Sequence, residues 1–246
     1  MEIPFTDRDI PFINTAQMRE VDRAMIQDYK IGLIQMMENA GRNLAHLARH
    51  RFLDGKPAKK RVAVLAGPGG NGGGALVCAR FLHNWGADVQ VIIPRPVEDF
   101  TPVPAQQLEI LQRMKVPVMP AEQYDRLEAP GLIIDGLIGY SLKGAPYGIT
   151  VQLIEWANLQ NAPILALDTP SGLDTSTGTL YHPAIRAAAT MTLALPKEGL
   201  RAAGAKANVG ELYLADISVP PSLYLQPDLE ILVGSLFAES ELIRLW

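Results

Sequence analysis

One cysteine, Cys78, stands among 246 residues, so no internal disulfide can form. That usage fits a reducing compartment. Histidine is scarce as well: His46, His50, His83 and His182 form no spaced ligand pair with the cysteine. His46 and His50 lie four apart, but "HLARH" lacks the glutamate of an H-E-x-x-H zinc motif. Zinc is therefore not expected. An excess of positive charge is also missing. Lys and Arg total 22 against 26 Asp and Glu, a formal net charge of −4, which argues against nucleic acid as a partner. No apolar run approaches the ~18 residues of a membrane span, so no membrane association is expected. The opening "MEIPFTDRDI" shows no basic stretch before an apolar one, so no signal peptide is expected. From these absences a soluble cytoplasmic protein is the default expectation.

What is present is apolar and periodic. The chain is 48% hydrophobic, enough for a sizeable core, and its length suits one large domain. Met18, Val21 and Met25 share one face of a short helix that Thr15 would cap. Ile34, Met37, Ala40, Leu44 and Leu47 mark a second helix. From residue 61 strands and helices alternate. "RVAVLA" (61–66), "DVQVII" (88–93), "VPVM" (116–119), "GLIIDG" (131–136), "PILAL" (163–167), "AATMTLAL" (188–195) and "GELYLADI" (210–217) read as strands. Helices are expected from about 75 to 85, 105 to 115 and 150 to 160, the last capped by Thr150, with a further helix at the C-terminus. This pattern predicts an α/β fold with a mostly parallel sheet covered on both faces. One domain spans 1–246: a helical extension (1–55), a core (60–217) and a C-terminal segment (218–246).

In such sheets ligands bind beyond the carboxyl ends of the strands. The first strand runs into "GPGGNGGGAL", where Gly67, Gly69 and Gly72 satisfy G-x-G-x-x-G between a strand and a helix. Glycines there let backbone N–H groups approach a phosphate at a helix N-terminus. A tight strand-to-helix turn is the plainer alternative. The second strand ends in "PRP", with Arg95 and no ribose-binding carboxylate, so a conventional nicotinamide oxidoreductase fits poorly. Asp135 and Asp168 each end an apolar strand and are expected at the mouth of the sheet, with Lys143 on a loop beside them. Each also has an ordinary role open to it, as a loop-organising aspartate or an exposed lysine. Ser141 is not in G-x-S-x-G, which excludes a nucleophile elbow. Asn71, Asp135 and Ser171 would offer oxygen ligands to a hard cation.

Four ordered motifs, "AGPGGNGGGALVCARFL", "DGLIGYSLKG", "LALDTPSGLD" and "LALPKEGL", with "MENAG" at 37–41, resemble the YjeF N-terminal domain family, the NAD(P)HX epimerases. The resemblance runs from the first helices to about Ile217. It implies a Rossmann-like three-layer α/β/α sandwich, a homodimer, and interconversion of the R and S forms of hydrated NADH and NADPH. A separate dehydratase then acts on the S form, and this chain would be the epimerase part alone. It implies a potassium ion on Asn71, Asp135 and Ser171. It implies substrate contacts from Gly70, Asn71, Gly72, Gly73 and Gly74, from Gly139, Tyr140, Ser141, Leu142, Lys143, Gly144 and Ala145, and from Asp168. Asp168 is the candidate catalytic carboxylate, assisted by Lys143, and Asp168→Asn is expected to lose turnover with the fold intact. The family typically reads "GPGNNGGDG", so Gly70 and Gly74 depart from its pattern. A non-catalytic nucleotide-binding or scaffold module on the same fold is the alternative function.

Overall fold

The structure is a computed structural model and describes residues 3–246. Its centre is one eight-stranded sheet in the order β3-β2-β1-β4-β5-β6-β7-β8. The strands are β1 (Arg61–Ala66), β2 (Asp88–Ile93), β3 (Val118–Pro120), β4 (Leu132–Gly136), β5 (Ile164–Leu167), β6 (Ala189–Leu193), β7 (Glu211–Ala215) and β8 (Leu242–Arg244). All neighbours pair in parallel except β8, which runs antiparallel beside β7.

Strand alternation divides the core into two faces. Val62, Val64 and Ala66 of β1 face a layer built by α2 (Leu33–Arg51), α3 (Gly70–Asn84) and α4 (Pro102–Arg113). Ala63 and Leu65 face α5 (Ile149–Leu159) through Leu153, Ile154 and Ala157. The result is the expected three-layer α/β sandwich. Helix α1 (Thr15–Gln27) joins a separate apolar cluster with Leu214, Leu223, Tyr224 and Ile243. The N-terminal segment is also tied to the loop after β6, since Glu198 N donates to the Ile13 carbonyl at 3.0 Å and Ile13 N to Pro196 at 2.8 Å.

Several expectations shift. Asn14, not Thr15, caps α1: its side chain accepts from Gln17 N at 2.9 Å while Gln17 Oε1 accepts from Asn14 N at 3.0 Å. Helix α5 starts after Gly148, whose φ of 61° is left-handed, so Thr150 lies inside it. The C-terminus ends in strand β8 rather than a helix, preceded by the single turn α7 (Pro221–Tyr224). Another short turn, α6 (Lys206–Val209), precedes β7. The largest shift is α3, which begins at Gly70, five residues before the expected start.

Close approach explains why α3 is so rich in glycine. A Cβ at Gly72 would sit 1.7 Å from the Gly67 carbonyl oxygen, and one at Gly67 would sit 2.0 Å from the Leu137 oxygen. These two glycines thus serve backbone against backbone, not backbone against ligand. A Cβ at Gly70, by contrast, meets nothing within 4 Å. Gly72→Ala is therefore expected to cost about 3 kcal/mol or more through overpacking, whereas Gly70→Asn should stay within about 0.5 kcal/mol of wild type. Urea midpoints measure both, and equal effects would contradict this division of labour.

Candidate active site

The sheet order reverses between β1 and β4, so the loops after these strands part and open a crevice. A cleft of about 390 Å³ lies there. Its floor is Pro68 to Asn71 and Gly74 from the start of α3. Leu137 to Ser141, after β4, form one wall, and Leu167, Asp168 and Lys197 form another. Met18 and Asp22 of α1, with Met36 and Met37 of α2, close the top. The two N-terminal helices are thus part of the site.

Asp168 follows β5 in a left-handed conformation, φ 64°, which aspartate tolerates better than most residues. Its backbone N–H donates to the Met191 carbonyl at 2.7 Å, which fixes the turn. Asp168 is 3% exposed, and its carboxylate pairs with Lys197 Nζ at 2.5 Å. Lys197 is fully buried and also donates to the Leu193 carbonyl at 2.9 Å. Thr192 Oγ1 and Leu193 N approach the same carboxylate at 3.4 Å. All three donors, Lys197, Thr192 and Leu193, meet Oδ1, and none of these bonds uses Oδ2. One carboxylate oxygen is anchored, and the other takes part in none of these bonds. Opposite this pair, Tyr140 donates a 2.5 Å hydrogen bond to Asp22 Oδ2. Burial raises the Asp22 carboxyl above its ordinary range and pushes the Tyr140 hydroxyl far up.

Lys197 is the residue that sequence reasoning missed. It lies in "LALPKEGL", a stretch that carried the resemblance but received no role. The signal was a lysine directly after an apolar strand. Lys143 sits elsewhere: it is exposed and is not among the residues lining the cleft. Leu142, Gly144 and Ala145 do not line it either, while Gly139, Tyr140 and Ser141 do. Gly72 and Gly73 lie behind Gly67 and Met37 rather than on the cleft surface. At Gly74, a Cβ would sit 2.7 Å from Leu167 Cδ2. The Leu167 side chain thus fills space that an aspartate at position 74 would need.

Asp135 lies next to last in β4, at the carboxyl end of the sheet, but does not line the cleft. It is fully buried in β4, and its carboxylate latches two loops together. Oδ1 accepts from Ser171 Oγ at 2.6 Å and from Leu137 N at 3.2 Å, and Oδ2 accepts from Ser171 N at 2.8 Å. Ser171 Oγ in turn accepts from Ile138 N at 2.9 Å. Burial pushes the Asp135 carboxyl up to about 6. Asn71 leans on the other side of Gly139, and its Nδ2 is buried without a hydrogen-bond partner. Asp135, Ser171 and Asn71 offer oxygen donors, one of them a buried carboxylate that no cationic side chain neutralises among the described residues. Oxygen ligands of this kind suit a hard cation. The described residues hold no cluster of three His, Cys, Asp or Glu suited to a metal, and no described helix is long and apolar enough to cross a membrane.

A protein of Dehalogenimonas lykanthroporepellens named NAD(P)H-hydrate epimerase is 39% identical over 100% of this chain and 98% of its own length. One of Rhodopirellula baltica with the same name is 31% identical over 88% of each. The bifunctional NAD(P)H-hydrate repair enzyme Nnr of Moorella thermoacetica is 35% identical over 86% of this chain, which spans 41% of that longer protein. Among solved structures, yeast ynu0 superposes with a TM-score of 0.79 at 25% identity, covering 96% of this chain and all of the yeast one. The family model described as YjeF-related protein N-terminus matches residues 33–199. From "MENAG" in α2 to the lysine that anchors Asp168, the matched span carries most of the cleft, and the chain belongs to the YjeF-related N-terminus family.

Proposed function

We propose that this chain is an NAD(P)H-hydrate epimerase and that the Asp168–Lys197 pair carries the reaction. The single observation behind the residue assignment is the arrangement of Asp168: a buried carboxylate on a residue that lines the cleft, with one oxygen anchored by a buried ammonium and the other outside that bond. Family membership and the relatives named as epimerases support the activity.

The chemistry follows from the substrate. Inverting the hydroxyl-bearing C6 of a hydrated nicotinamide requires its C–O or ring C–N bond to break and re-form on the opposite face. Breaking C–N moves the hydroxyl proton to a base, leaves an aldehyde at C6 and places a proton on the ring nitrogen. Closure reverses each transfer. Breaking C–O releases water, with a proton supplied to the leaving oxygen, and leaves positive charge on the ring. Either route is served by a carboxylate that takes and returns one proton or faces developing positive charge. Asp168 Oδ2 has that place, and Lys197 keeps the carboxylate oriented. Met18, Met36 and Met37 give the cleft an apolar wall.

The reading is tested by mixing purified protein in potassium buffer with the R form of NADHX and following the S form above the spontaneous rate. Acceleration is the expected result. No acceleration from folded protein would leave the non-catalytic module as the better account.

Potassium is the cation proposed for Asn71, Asp135 and Ser171. When bound, it supplies charge that offsets Asp135 and holds the loops after β4 and β5. Potassium chloride is expected to raise Tm above an equal concentration of choline chloride. The stabilisation is about 2.7 kcal/mol at a hundredfold excess over the dissociation constant, and Asp135→Asn should abolish it. Equal Tm in the two salts would refute the site.

A further inference from the structure

The floor of the cleft accounts for the nicotinamide end of the substrate but not for the adenosine end. Taking the epimerase reading as its basis, the sheet indicates where that end lies. The strand order reverses between β1 and β4, and the glycine loop sits over the reversal. Asp168 follows β5, and Arg95 follows β2 by two residues. Between the ends of β5 and β2 lie three strand intervals, about 14 Å in all. That is the reach of an extended dinucleotide laid across a switch point with its pyrophosphate at the helix N-terminus.

The β2 end carries features suited to that half. Arg95 Nη2 lies 3.4 Å from Tyr147 Oη, and its guanidinium sits 5.9 Å from the Tyr147 ring centre. Tyr147 comes from the loop after β4 and is 73% exposed, an unusual position for a large ring. Two loops therefore reach toward each other beside the glycine loop. The loop after β2 is further tied down there, because Thr101 N and Oγ1 donate to the Pro68 carbonyl at 3.0 and 3.2 Å. Glu98 and Glu122 line the groove next to Arg95, yet among the described residues no carboxylate pairs with its guanidinium. At the end of a second strand, a carboxylate suits a ribose 2′-hydroxyl and an arginine suits a 2′-phosphate.

We propose that the substrate lies with its hydrated nicotinamide at Asp168 and its adenosine at the end of β2. Arg95 there meets the 2′-phosphate and Tyr147 offers a face to the adenine, so the chain prefers NADPHX to NADHX. The two glutamates temper the attraction, and the expected preference in kcat/KM is about tenfold rather than the hundredfold that a charge-assisted bond reaches at best.

The test is kcat/KM for both hydrates in wild type, Arg95→Gln and Tyr147→Ala, with inhibition by adenosine 2′,5′-bisphosphate and AMP alongside. Arg95→Gln should bring the NADPHX/NADHX ratio close to one and remove the advantage of the bisphosphate over AMP. Tyr147→Ala should raise KM for both hydrates without moving the ratio. A wild type that turns over both hydrates equally well would overturn this placement while leaving the epimerase reading intact. So would an Arg95→Gln enzyme with an unchanged ratio. Folded protein that turns over neither hydrate would overturn both.

Discussion

Replacing Asp168 with Asn is expected to lower kcat for hydrate epimerisation by a hundredfold or more, the usual scale for loss of a positioned acid–base group. Asparagine keeps the shape and tolerates the left-handed backbone at φ 64°, so geometry alone does not cause the loss. The substitution also removes the partner of Lys197, whose ammonium is fully buried. Breaking a buried pair from one side costs about 3–5 kcal/mol, because the remaining charge is left uncompensated. The intact fold expected from the sequence is thus amended: the variant folds, but with a much lower urea midpoint. Unchanged epimerisation would remove Asp168 from the mechanism, and an unchanged midpoint would show that the pair is not structurally coupled.

The second large effect concerns Lys197. Lys197→Met preserves the length of the side chain and deletes its charge. It should cost a similar 3–5 kcal/mol, now by stranding the Asp168 carboxylate. Because Lys197 acts through Asp168 Oδ1, kcat should fall while KM for the hydrate holds, a split that general loosening would not produce. The double variant Asp168→Asn with Lys197→Met separates folding from function. With neither charge present, much of the lost stability should return, giving a coupling energy of about 2–3 kcal/mol in the double-mutant cycle. Additive losses would mean that each residue stabilises the fold independently of the other.

Much of this architecture was legible in the chain, for a physical reason. Strand β1 was readable to its end residues because a strand buried on both faces writes a continuous apolar run. Asp135 and Asp168 were readable as strand-end carboxylates, and the glycine loop as a crevice marker. The start of α3 was not, because glycine disfavours helix. Here the chain adopts helix from Gly70 onward, and the Gly67 carbonyl leaves no room for a side chain at Gly72. The buried state of Asp135 was hidden because two of its donors, Ser171 N and Oγ, lie on the loop after β5, 36 residues away. The Asp168–Lys197 pair spans 29 residues. It depends on two left-handed turns, at Asp168 and at Ala194 with φ 63°, and on the clasp of Ile13 against Pro196 and Glu198. A periodicity-based reading cannot supply such tertiary facts.

The most direct test is the rate at which the Asp168→Asn, Lys197→Met double variant converts the R form of NADHX to the S form, measured where circular dichroism shows it fully folded. The account predicts a rate no faster than the spontaneous reaction, beside clear acceleration by wild type. A double variant that epimerises within about threefold of wild type, roughly 0.7 kcal/mol of barrier, would contradict the claim that this buried pair carries the chemistry.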